Sequence, residues 1–94
     1  MELMQASVQD RGGVITQEDP DRVTIRTRLP AGVLDVAQLR GLGDIAERYG
    51  APHLHLTTRQ AIELPHLEAA RIVEIARDLE ANGTPVGAEK HEVV

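Results

Sequence analysis

Nine of the ten basic residues in this 94-residue chain are arginines, and six of them lie between positions 22 and 59. There Arg22, Arg26, Arg28, Arg40, Arg48 and Arg59 meet only three acids, Asp35, Asp44 and Glu47. The flanks are acidic, with one base against five acids before this stretch and three against seven after it. The net charge of −5 thus conceals a positive centre. A guanidinium presents a planar fork of donors that suits carboxylates and small oxyanions better than an ammonium group does. Anion binding is therefore the chemistry in prospect, and a solvated surface of mixed charge is the simpler alternative. His53 and His55 form a His-x-His pair whose spacing can seat a metal. No clear carboxylate or thiol ligand accompanies them, so plain surface histidines are the better reading and no metal site is assigned. The chain has no cysteine. That excludes disulfides, thiolate ligation and cysteine nucleophiles. The glycines do not form a phosphate-binding loop.

The elements that must position these residues are short. Residues 1–11 read as a polar lead-in, and Gly12-Gly13 opens a β-type run over Val14-Ile15-Thr16. Glu18-Asp19-Pro20-Asp21 reads as a turn. From Val23 to Leu29 the pattern alternates, with Val23, Ile25, Thr27 and Leu29 on one face and Thr24, Arg26 and Arg28 on the other. Asp35 is a good N-cap, Gln38 completes a capping box, and Gly50 closes a helix over 36–49. Gly41 and Gly43 inside that helix point to close backbone packing. Pro52–Leu64 reads as one long β segment with a bend or bulge near Thr58–Gln60. In it Leu54 and Leu56 point one way and His53, His55 and Thr57 the other. A second amphipathic helix over 67–81 takes Leu67, Ala70, Ile72, Val73, Ile75, Ala76 and Leu79 as its apolar set, and Asn82-Gly83 stops it. Residues 84–94 form a tail that either adds a last short strand or is mobile.

These elements predict an α+β fold, a small antiparallel or mixed sheet with two helices on one face. The expected core is Val23, Ile25, Leu29, Leu39, Leu42, Ile45, Leu54, Leu56, Ile62, Ile72, Ile75 and Leu79. Tyr49 is the sole aromatic, so the core is aliphatic and its stability modest. No apolar run is long enough to cross a bilayer, and the first ten residues lack the features of a signal peptide. No membrane association is expected, and a cytoplasmic location is the default. A nucleic-acid partner is not expected either, since such sheets present aromatic platforms and this chain has none to present.

Two stretches carry more information. Arg26-Thr27-Arg28-Leu29-Pro30-Ala31-Gly32 is followed by a helix ending Ala46-Glu47-Arg48-Tyr49-Gly50, then by Leu54-His55-Leu56-Thr57-Thr58-Arg59-Gln60. In order and spacing, over about residues 12–83, these resemble the ferredoxin-like half-domain of the sirohaem-dependent nitrite and sulfite reductases, specifically its N-terminal half. The resemblance implies a ferredoxin-like half-domain over 12–83 within an oxidoreductase that takes sulfite to sulfide or nitrite to ammonia. It implies sirohaem and a 4Fe-4S cluster in the full-length parent, and as partners the rest of that enzyme, including a second half-domain. Position by position, Arg26 matches the arginine that meets the substrate anion, and His55, Thr57 and Arg59 match contacts to sirohaem carboxylates. His55 stands where some relatives have Arg and Glu63 where some have Gln. A carboxylate at 63 would face the macrocycle's own. With no cysteine for the cluster, the chain alone is not expected to be a reductase or to hold a cofactor, and it looks like a fragment ending before the cysteine motif. The competing reading is a stand-alone α/β regulatory or dimerisation module that binds a small anionic metabolite. Exposed strand edges further suggest a homodimer.

Overall fold

A computed structural model describes residues 13–29, 32–58 and 61–87. The chain runs through β1 (Val14–Thr16), β2 (Arg22–Arg28), α1 (Val36–Tyr49), β3 (His55–Leu56) and β4 (Ala61–Glu68). A single 3₁₀ turn, Ala69–Arg71, then leads into α2 (Ile72–Ala81). The four strands form one antiparallel sheet in the order β1-β2-β4-β3. This is the α+β arrangement expected of a ferredoxin-like half-domain.

Alternation along β2 buries Val23, Ile25 and Thr27 and leaves Arg22, Thr24, Arg26 and Arg28 only partly covered. Ile62, Leu64 and Leu67 of β4 join that buried set, with Leu42, Ile45 and Tyr49 from α1 and Ile72, Ile75 and Leu79 from α2. Both helices therefore cover one face of the sheet. Thr27 is the polar member of this layer, and its hydroxyl donates to the Ile62 carbonyl at 3.0 Å, which offsets its burial.

Capping follows the sequence closely. Gln38 N donates to Asp35 Oδ1 at 2.8 Å, and Asp35 N donates to Gln38 Oε1 at 3.0 Å. Gly50 ends α1 at φ 80°, a conformation that an L side chain rarely adopts. Of the two glycines inside α1, Gly41 meets the Asn82 carboxamide that binds the Gln38 carbonyl and the Thr84 hydroxyl. Gly43 has nothing within 4 Å of a built Cβ, so close packing does not account for it. Gly43→Ala is expected to stabilise the fold by up to about 1 kcal/mol through helix propensity. Urea unfolding checks this, and a destabilised variant would contradict it.

Three expectations need correction. Pro52–Leu64 is not one bent strand: β3 and β4 form a hairpin, closed where Thr57 N donates to the Ala61 carbonyl at 3.0 Å. The bulge lies farther on, at Pro65–His66, where three steps along β4 from Leu64 to Leu67 match two along β2 from Ile25 to Val23. His66 takes a left-handed φ of 62° there. The bulge carries the strand past Pro65, so Leu67 ends a strand instead of opening a helix, and α2 begins at Ile72. Leu39 and Leu56, expected in the core, are 49% and 74% exposed, and Leu54 is only partly buried. The buried face of α1 begins at Leu42, and β3 is a two-residue edge strand that the helices do not cover.

The second edge of β2 is shared. β1 pairs along its first half, with Val14 opposite Ile25. Beyond it, Arg28 N donates to the Pro85 carbonyl at 2.8 Å and Gly87 N to the Arg26 carbonyl at 3.1 Å. Part of the expected tail thus extends the sheet, and Thr27 pairs with Val86. The lead-in 1–11 and residues 88–94 lie outside the described residues.

Candidate functional site

Among the described residues, the face of the sheet turned away from the helices holds a charged cluster centred on Glu63. Alternation places Arg26 opposite in sense to Ile25 and Thr27, and Glu63 opposite in sense to Ile62 and Leu64. Strand order then decides the neighbours. β4 lies between β2 and β3, so Glu63 faces Arg26 across one ladder and His55 across the other. Arg26 donates to Glu63 Oε2 from both Nε (3.0 Å) and Nη2 (2.8 Å). His55 Nδ1 lies 3.0 Å from Glu63 Oε1 and, when protonated, donates to it. Side-chain exposure falls from 64% at His55 to 30% at Arg26 and 12% at Glu63. The acid lies beneath its two donors, so an anion arriving from solvent meets nitrogen first.

Electrostatics agree with this layout. Burial alone would push the Glu63 carboxyl up; the hydrogen bonds from Arg26 and then His55, with their charges, outweigh it and hold the carboxyl below its ordinary 4.5. A group whose pKa falls on folding contributes stability above its unfolded value and loses it as pH drops through the folded one. Wild-type stability should therefore decline as pH falls below about 4.5, and Glu63→Gln should flatten part of that decline. Urea midpoints between pH 3 and pH 7 test it (~0.5-unit steps suffice), and parallel curves for the two proteins would refute it.

Of the four residues singled out from sequence, the structure brings Arg26 and His55 together through Glu63. Thr57 helps close the hairpin, its Oγ1 accepting from Ala61 N at 3.2 Å. Arg59 lies outside the described residues. Glu63 is the residue that sequence reasoning undervalued: it stood out as a departure, whereas it is the hub of the cluster. The register that pairs it with both donors is not visible along the chain.

A second charged cluster links the helices. Arg48 Nη1 donates to Asp78 Oδ2 at 2.8 Å, and the Tyr49 hydroxyl donates to the same oxygen. The Arg71 guanidinium lies 4.6 Å from the Tyr49 ring centroid. Beside it runs an open groove of about 280 Å³ lined by Gly41, Asp44, Ile45, Arg48, Asp78, Ala81 and Asn82. Its principal charges are spent on each other, so this cluster joins α1 to α2. Among the described residues no group of three His, Asp or Glu is placed to hold a metal ion, and no helix is long and apolar enough to cross a membrane.

Residues 15–82 match the family model of the nitrite/sulfite reductase ferredoxin-like half domain. The chain belongs to this family. A stretch of 47 residues is 51% identical to the sulfite reductase [NADPH] hemoprotein beta-component of Acidithiobacillus ferrooxidans. The match covers 45% of this chain and 8% of the length of that curated relative. The half-domain is thus related to an oxidoreductase many times its size.

Proposed function

We propose that this half-domain works as part of a larger sirohaem and 4Fe-4S reductase that takes sulfite to sulfide or nitrite to ammonia. Its part is to supply donors to anions. Arg26 meets the substrate oxyanion, and His55, Thr57 and Arg59 meet carboxylates of the macrocycle. The observation that carries this reading is the Arg26 guanidinium on the open face, fixed by one edge to Glu63 and 30% exposed.

The donor set fits such a group. A protonated His55 and Arg26 stand above the single carboxylate, so the cluster carries +1, or no net charge when His55 is neutral. Both of Glu63's oxygens are engaged, which blunts its repulsion toward the macrocycle. When bound, sirohaem supplies the iron at which the oxyanion is reduced. The chain's own residues draw the anion in and orient it, which is what fixed positive donors do best in a partly desolvated site. Cluster ligands must come from another segment or chain, because this one has no cysteine.

The test is a titration of the 94-residue chain with sulfite, followed by amide shifts. Charge-assisted hydrogen bonds are worth about 1.5–3 kcal/mol, so Arg26→Ala should weaken sulfite binding about ten- to a hundredfold. A variant that binds sulfite as the parent does would remove Arg26 from the substrate role.

A further inference from the structure

We propose that Glu63 is a positioning residue that aims Arg26 at its anion. The inference rests on the reading that Arg26 meets an oxyanion, and adds to it a residue which that reading leaves unassigned.

A guanidinium has five N–H donors arranged around a rigid plane. Glu63 Oε2 takes the side edge, bonding both Nε and Nη2. The adjoining end edge, where one N–H of Nη1 runs parallel to one of Nη2, has no bond to a described residue. That end edge is the one that grips two oxygens of a carboxylate or oxyanion at once. With its side edge bonded twice to a carboxylate that is 12% exposed, the plane is restrained from turning, while the arginine side chain keeps 30% of its surface open to solvent. His55 secures the other oxygen of Glu63, so the clamp is itself held from the far side. An unclamped arginine would lose rotamer freedom on each binding event, and a clamped one has already lost it.

The arrangement also costs affinity. Glu63 brings a full negative charge near the anion, so it orients Arg26 while weakening its field. These two effects separate cleanly in variants. Glu63→Gln keeps an acceptor for the side edge and drops the charge, whereas Glu63→Ala drops both. The two variants carry the same net charge, so a difference between them reads positioning alone.

The experiment uses the 94-residue chain, sulfite as the probe, and the Arg26 Nε–H signal in ¹⁵N-resolved spectra. In the parent and in Glu63→Gln that proton should exchange slowly, and in Glu63→Ala it should be lost to solvent exchange. Glu63→Gln should bind sulfite several-fold tighter than the parent, and about tenfold tighter than Glu63→Ala. Equal affinities for the two variants, with sulfite bound, would overturn the proposal. So would an unprotected Nε–H in the parent, a result that needs no variant to fold. If no protein binds sulfite but protection follows the parent, Gln, Ala order, Glu63 still positions Arg26 and the oxyanion reading is the part that fails.

Discussion

Ile25→Ala is expected to lower stability by about 2–5 kcal/mol. Ile25 is fully buried at the centre of β2, opposite Leu64 on one side and Val14 on the other. The neighbours in this layer are aliphatic apart from Tyr49 and Thr27. A domain of this size has about 5–14 kcal/mol in all, so the loss takes a large share of the total and all of it only at the bottom of that range. Leu39→Ala is the matched control. Leu39 is 49% exposed, and its removal should change stability by less than about 1 kcal/mol. Urea unfolding followed by circular dichroism measures both, and similar losses at the two sites would mean that the core is misplaced.

Gly13→Ala is expected to cost about 1–3 kcal/mol and to detach residues 85–87 from the sheet. A Cβ at Gly13 would lie 2.5 Å from Gly87 N, 2.6 Å from Val86 Cγ1 and 2.8 Å from the Arg26 carbonyl. Two of these three atoms are backbone and cannot swing away. The site is where β1 begins and the 85–87 segment takes over the same edge of β2, both close to Arg26. Yielding there breaks the Gly87 N–H bond to Arg26 and the Arg28 N–H bond to Pro85. Hydrogen exchange gives a specific signature. The Arg28 and Gly87 amides should lose protection while those of α1 keep theirs, and uniform loss across the chain would contradict a local clash. Because Arg26 lies at this junction, the same change should also weaken the anion site.

Much of the architecture was legible along the chain because it depends on neighbours in sequence. The alternation of Val23, Ile25 and Thr27 against Thr24, Arg26 and Arg28 follows from the two-residue period of a strand. The α1 boundaries follow from Asp35, Gln38 and Gly50, whose effects act within one helical turn. The ordered arginine, helix and Thr-Thr-Arg-Gln segments resemble those of the nitrite and sulfite reductase half-domain, and the match over 15–82 bears that family out.

What the sequence left open depends on contacts between distant residues. That Thr57 begins a hairpin, and that β4 runs past Pro65 through a bulge, is set by pairing with β2 and β3. The bare outer side of β3 and the overhanging first turn of α1 are matters of how far two helices reach across a sheet, so Leu56 and Leu39 look apolar in sequence and stand in water. The site shows this most clearly. Arg26 and Glu63 are 37 residues apart, and a carboxylate at 63 reads in sequence as a repulsive substitution. Only the strand order β2-β4-β3 puts it between an arginine and a histidine, where two donors turn a buried negative charge into the brace for a positive one.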